Sequence, residues 1–213
     1  MLRAFRGGIG LAVISIMKIK TAVFEKSAPN LATSPVWGCR EFAFIGRSNV
    51  GKSSLLNLLT EQKDLAKVSA TPGKTRMINF FKINNAWSLV DLPGYGFAKV
   101  AQHKRSDFNQ AVARYLEKRD NLACVFVLID SRLPPQQIDL DFIQWLEGTG
   151  RPFALIFTKT DKQSPTQTRA KISLFTEALA EWRTEPPPIL TSSSKTKSGR
   201  REILEFIAGM LAS

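Results

Sequence analysis

The chain has 213 residues, with 30 basic and 18 acidic side chains and a formal net charge of +12. An apolar fraction of 44% and a charged fraction of 23% exclude a wholly disordered chain, a collagen-like fibre and a disulfide scaffold. Two cysteines, Cys39 and Cys124, and one histidine, His103, are too few for the usual four-ligand zinc site. The charge points to a polyanionic partner, nucleic acid or an anionic membrane surface, with a basic protein lacking such a partner as the alternative.

In chain order, two arginines precede an apolar stretch from Ile9 to Met17. This resembles a weak signal peptide, but it is shorter than the about 20 apolar residues that a bilayer span needs. The expectation is that Met17 is the start, or that residues 1–17 form a disordered tail. The sparse cysteines read as a reducing compartment, and the expectation is a cytoplasmic location without stable membrane association. Residues 18–40 then form a lead-in segment, and residues 41–213 the main domain.

From Glu41 onward, short apolar runs alternate with amphipathic stretches. Strands are predicted at Phe42–Ile45, Ile78–Ile83, Trp87–Asp91, Cys124–Asp130, Phe153–Thr158 and Ile189–Ser192. Most are apolar nearly throughout, as strands covered on both faces are. Helices are predicted at Lys52–Glu61, Arg105–Lys118, Gln136–Glu147, Thr166–Trp182 and Arg200–Leu211, with apolar residues three and four apart. The step from Ile83 to Trp87 across Asn84, Asn85 and Ala86 reads as a hairpin, so one strand runs antiparallel. The fold class is therefore α/β: three layers, a mostly parallel six-stranded sheet with one antiparallel strand, and helices on both faces.

Three motifs lie at predicted strand ends. Gly46, Arg47, Ser48, Asn49, Val50, Gly51, Lys52 and Ser53 follow a strand and open a helix. That is the setting of a phosphate-binding loop, in which backbone N–H groups and the helix N-terminus cradle a phosphate. Lys52 would reach the β- and γ-phosphates, and the Ser53 hydroxyl would bind Mg²⁺. Asp91, Leu92, Pro93 and Gly94 end the strand WSLVD. A carboxylate there can hold Mg²⁺ through water, and the Gly94 N–H can touch a γ-phosphate; alone, the four residues are also a common turn. Thr158, Lys159, Thr160 and Asp161 end a later strand. Asp161 can accept hydrogen bonds from guanine N1–H and the exocyclic amine, a pattern adenine lacks. In this order the three motifs favour GTP over ATP.

On these residues the chain resembles a translational-type GTPase G domain, with a P-loop NTPase fold. More closely it resembles the EngB (YihA/YsxC) family of ribosome-biogenesis GTPases, in the TrmE-Era-EngA-EngB-septin-like superfamily. The resemblance runs from about Lys18 to the C-terminus. It is carried by GRSNVGKSSLLN, TPGKTRMINFF, DLPGYGFAKV, DSRLPPQQIDLDFIQWL and TKTDK. One departure is Leu133, where the family pattern has histidine.

The resemblance implies a switch I element at Gly73, Lys74, Thr75, Arg76 and Met77, in which Thr75 ligates Mg²⁺ and senses the γ-phosphate. It also implies a guanine loop at Ser192, Ser193 and Ser194, whose backbone N–H groups would meet guanine O6. Lys52, Thr75 and Asn49 are the residues expected to act in hydrolysis. Asn49 matches the potassium-binding asparagine of related GTPases, so K⁺ joins Mg²⁺ as an expected ion; the other reading is that Asn49 only shapes the loop. Where many GTPases carry a water-orienting glutamine after the DxxG glycine, this chain has Tyr95, and slow intrinsic hydrolysis is expected.

Asp139 and Asp141 lie two apart on a helix and read as a charged face. Basic residues gather near the proposed switches (Lys74, Arg76, Lys99, Lys104 and Arg105) and around the last helix (Lys195, Lys197, Arg200 and Arg201). With the resemblance, they favour contact with ribosomal RNA. The function implied is a monomeric GTP switch that assists assembly of the large ribosomal subunit or its precursor, with normal cell division depending on it. The alternatives are a division-associated GTP-binding scaffold with little turnover and a P-loop phosphotransferase.

Overall fold

The structure is a computed structural model, described for residues 17–66, 77–95 and 102–213, with backbone alone at 102–109. Strands are β1 Ala22–Ala28, β2 Glu41–Gly46, β3 Ile78–Ile83, β4 Trp87–Asp91, β5 Leu122–Asp130, β6 Phe153–Thr158 and β7 Ile189–Thr191. Helices are α1 Lys52–Thr60, α2 Gln102–Lys118, α3 Gln137–Gly148, α4 Pro165–Ala180 and α5 Arg200–Ala212. The sheet order is β1-β3-β4-β2-β5-β6-β7. β3 runs antiparallel to both its neighbours, and the other pairings are parallel.

The sheet has one strand more than the six expected. β1 lies in the lead-in and pairs along β3 from Ala22 opposite Ile83 to Ala28 opposite Ile78. Its composition hides it. Only Ala22 and Ala28 are buried, while Val23 and Phe24 face outward, 58% and 50% exposed. Glu25 and Lys26 sit at a register shift, where charge and irregularity blunt a sheet edge.

The expected hairpin joins β3 to β4. Asn84 and Asn85 both have positive φ, 50° and 55°, a conformation asparagine tolerates better than most residues. Asn84 also ties down the lead-in. Its side-chain oxygen accepts from the amides of Lys20 and Thr21 at 2.7 and 3.0 Å, and its amide donates to the Lys18 carbonyl at 2.8 Å.

Strand alternation divides the core between the two faces. Phe42 and Phe44 of β2, Cys124, Phe126 and Leu128 of β5, and Ala154 and Ile156 of β6 pack with α1 and α5 residues such as Leu55, Leu59, Ile203 and Ile207. Ala43, Ile45, Val125, Val127, Leu155 and Phe157 pack on the opposite face with Tyr115 of α2, Ile143 and Leu146 of α3, and Phe175 of α4. Cys124 is a core hydrophobe, its thiol pushed up to about 12 by burial.

At the start of β2, Glu41 is fully buried. It accepts from the Tyr115 hydroxyl at 2.6 Å, from Arg119 Nε at 2.9 Å and Nη2 at 2.5 Å, and from Trp37 Nε1 at 2.5 Å. Arg119 Nη2 also reaches the Pro35 carbonyl at 2.7 Å. This cluster locks lead-in, sheet and α2 together. Burial, then the Glu41 charge, push the Tyr115 hydroxyl well above its ordinary range. Glu41→Ala would strand Arg119, the buried Tyr115 hydroxyl and the half-buried Trp37 Nε1. It should lower stability by about 3–5 kcal/mol in urea unfolding, and a loss under about 1 kcal/mol would contradict this account.

Candidate functional site

The parallel strands β2, β4, β5, β6 and β7 point their carboxyl ends at one edge of the sheet. β2 is the switch point, since the chain crosses to β4 on one side and β5 on the other. Open α/β sheets place their ligand crevice at such a point, and all three predicted motifs converge there.

The first loop leaves β2 at Gly46 and enters α1 at Lys52. Gly51, the helix N-cap, has φ +106°, which glycine adopts without strain. Asn49 also has positive φ, 61°. Val50 N–H donates to the Arg47 carbonyl at 3.2 Å, and Leu55 N–H to the Gly51 carbonyl at 2.9 Å. The Ser48 hydroxyl oxygen is buried and has no hydrogen-bond partner among the described residues.

The second motif packs directly on the first. A Cβ on Gly94 would lie 2.6 Å from the Gly46 carbonyl oxygen, so only glycine allows this approach. Lys52 Nζ donates to Asp91 Oδ1 and forms an ion pair with it, the two side chains 11% and 5% exposed. Leu92 N–H continues the strand register to the Phe44 carbonyl at 3.0 Å, and Pro93 is buried behind it. Ser53, in the first turn of α1, and Asp91 are hard oxygen donors of the kind magnesium takes, with phosphate and water completing its shell. The donor set fits that ion. Among the described residues, no three His, Cys, Asp or Glu side chains gather to hold a metal by themselves.

The third motif is stitched to the first loop. The Thr158 hydroxyl donates to the Val50 carbonyl at 2.6 Å, and it lies 3.1 Å from the Ile129 carbonyl. Lys159 has φ 60°, and its ammonium donates to the Asn49 carbonyl at 2.5 Å and to Asp130 Oδ2 at 2.8 Å. Burial alone would raise the Asp130 carboxyl. The bonds from Arg132 and Lys159 outweigh it and bring the group down to about 2. Asp130 is thus a site residue that sequence reasoning missed; its position at the end of β5, level with Thr158 of β6, was the available signal.

Asp161 closes the set. Its Oδ1 accepts from the Ser193 hydroxyl at 2.6 Å, a bond that holds its carboxyl below the ordinary value. Its Oδ2 is buried without a hydrogen-bond partner among the described residues. Thr160 N–H and hydroxyl both reach the Ser192 carbonyl at 3.3 Å. In the serine loop, the Ser192 amide is taken by the Phe157 carbonyl at 2.8 Å and the Ser193 amide by the Ser198 carbonyl at 3.2 Å. Of the three serine amides, only that of Ser194 has no partner among the described residues.

Met77 is part-exposed just ahead of β3. Gly73, Lys74, Thr75 and Arg76 of the expected switch I lie outside the described residues, as do residues 1–16 and 96–101. The reading of Asp139 as part of a charged face is corrected. Asp141 is exposed, but Asp139 is 1% exposed. It accepts from Arg47 Nε at 3.1 Å and from the Tyr95 hydroxyl at 2.9 Å. The spacing of Asp139 to Ile143 and Leu146, four and seven residues, was the signal that it shares their buried face.

A protein-family profile described as "50S ribosome-binding GTPase" matches residues 41–159. The chain is 48% identical over 194 residues to a probable GTP-binding protein EngB from Christiangramia forsetii, covering 91% of this chain and 98% of that one. It is 48% identical over 191 residues to the protein of the same name from Bacteroides fragilis, covering 90% and 95%. A crystal structure of a probable GTP-binding protein engB superposes with a TM-score of 0.65 at 22% identity, covering 81% of this chain and 98% of that one; that likeness shows the fold. The phosphate loop, the DLPG strand end and the TKTD strand end thus meet in a chain that belongs to the EngB family of GTP-binding proteins and is a GTPase.

Proposed function

We propose that this GTPase is a slow switch that assists assembly of the large ribosomal subunit, binding the subunit or its precursor in the GTP state and leaving after hydrolysis. The observation that carries the switch reading is the packing of Gly94 against the phosphate loop, with Lys52 and Asp91 paired beside it. With GTP bound, Lys52, which is paired with Asp91 here, would turn to the β- and γ-phosphates, and the Asp91 carboxylate would be free to help hold magnesium. Ser53 and, by family likeness, Thr75 would also hold the ion. The ion would supply charge neutralisation to the phosphates. Gly94 N–H meets the γ-phosphate, Asp161 accepts from guanine N1–H and its amine, and the Ser194 amide faces O6.

Slow turnover follows from the residue after Gly94. Tyr95 aims its hydroxyl at Asp139 and carries no amide to orient a water. The Asn49 side chain is exposed in the loop and would hold K⁺, which would supply charge of the kind an arginine finger supplies in other GTPases. The ribosomal partner is supported by the description of the matching family profile and by the net charge of +12, which suits phosphate contacts. A dependence of cell division on the protein would follow from failed subunit assembly. Among the described residues no helix is long and apolar enough to cross a membrane. Action in the cytoplasm goes with the ribosomal reading.

Co-sedimentation with ribosomal subunits should show binding to large subunits or their precursors, strongest with a non-hydrolysable GTP analogue, weaker with GDP and steeply lost with salt. Binding indifferent to nucleotide and salt would contradict the switch. Hydrolysis should be faster in KCl than in NaCl at equal ionic strength, and equal rates would remove K⁺ from the site.

A further inference from the structure

Arg47, Tyr95 and Asp139 come from three different elements and meet at one carboxylate. Arg47 is the second residue of the phosphate loop. Tyr95 follows Gly94 directly. Asp139 lies in the first turn of α3. The carboxylate is 1% exposed and its Oδ1 takes both partners, Arg47 Nε at 3.1 Å and the Tyr95 hydroxyl at 2.9 Å. Its Oδ2 is buried without a hydrogen-bond partner among the described residues. Burial holds the carboxyl above its ordinary value, against the pull of Arg47 and the Tyr95 hydroxyl.

A buried carboxylate with one unsatisfied oxygen is costly to stability, so packing alone gives little reason for it. Its geometry points to another role. The Tyr95 ring stacks on Phe142 of α3 with centroids 4.3 Å apart and planes 18° apart, and both rings rest on the core that holds Ile143 and Leu146. Tyr95 is therefore clamped by its ring and its hydroxyl to a rigid helix. The neighbouring Gly94 is pressed against the Gly46 carbonyl, where even a methyl group would lie at 2.6 Å. Arg47 ties the same carboxylate to the loop on the other side of that contact.

We infer that Asp139 is a positioning residue for the γ-phosphate side of the site: through Tyr95 and Arg47 it fixes the register of Gly94 against the phosphate loop, so that the Gly94 N–H is preorganised for GTP. This rests on the reading above that Gly94 meets the γ-phosphate. GDP has no group at that place, so the clamp serves GTP and not GDP.

Tyr95→Phe in the full chain keeps the ring on Phe142 and removes only the hydroxyl. It should weaken a non-hydrolysable GTP analogue about tenfold, as loss of a hydrogen bond to a charged group does, and move GDP affinity less than about twofold. Asp139→Asn should act in the same direction, and a Tyr95→Phe, Asp139→Asn double variant should be no worse than the stronger single one. Thermal melting without nucleotide separates stability from positioning, because a purely structural role would lower both nucleotide affinities together. Such a parallel loss, or an analogue bound tighter than before, overturns the inference. Gly94→Ala is the control. If it erases the preference for the analogue over GDP while Tyr95→Phe leaves that preference intact, the γ-phosphate reading stands and the role of Asp139 falls. If neither variant changes it, both fall.

Discussion

The site depends on the burial of β2. Every residue of Glu41–Gly46 is buried, with β4 on one side, β5 on the other and helices over both faces. A strand held in this way cannot shift its register without turning Phe42 and Phe44 out of one core layer and Ala43 and Ile45 out of the other. The point where the chain leaves the sheet is therefore set to one residue, Gly46. The phosphate loop hangs from that point, the Gly94 contact is made to the Gly46 carbonyl, and the Thr158 hydroxyl fastens the end of β6 to the same loop at Val50. At the far end of β2, the buried Glu41 cluster holds the strand against α2 and the lead-in. The site thus takes its rigidity from the core.

The electrostatics follow one pattern. The two lysines of the site, Lys52 and Lys159, are each held by a carboxylate at a strand end, Asp91 and Asp130. A third carboxylate, Asp139, holds Arg47 of the phosphate loop. The cations are therefore placed before a ligand arrives, with less side-chain freedom left to lose on binding. The arrangements differ in one respect. On the proposed reading, Asp91 would share its lysine with the phosphates of a bound nucleotide, whereas Asp130 and Asp139 would keep Lys159 and Arg47 where they are. Asp161 also has a preset partner, Ser193, and its other oxygen, 3.8 Å from Lys162 Nζ and without a hydrogen-bond partner among the described residues, would accept from guanine on the proposed reading.

Much of this was legible in the residues. The apolar runs gave strand positions to within one or two residues, because strands buried on both faces leave few other readings. Asn84 and Asn85 marked the hairpin through their tolerance of positive φ, and Gly51 marked the start of α1. β1 escaped because an edge strand with Val23 and Phe24 facing outward carries no clear alternation. Asp139 escaped because a carboxylate is ordinarily read as solvated, although its spacing to Ile143 and Leu146 placed it inside. The role of Asp130 depends on sheet order, which brings Asp130 of β5 beside Thr158 of β6, and the sequence of a single strand does not contain that. The pairing of the Ser192 amide with Phe157 of β6 and of the Ser193 amide with Ser198 in the turn after β7 likewise was not visible in a run of serines.

The central claim is that the strand ends build a preorganised guanine nucleotide site in which Asp161 reads the base. Calorimetry of the full chain with GTP and with xanthosine triphosphate, before and after Asp161→Asn, tests it most directly. The substitution exchanges an acceptor for a donor opposite the base amine, and xanthine carries a carbonyl there. The account predicts that Asp161→Asn weakens GTP by about a hundredfold or more while strengthening xanthosine triphosphate, with the fold intact by circular dichroism. GTP affinity unchanged by the substitution would contradict it.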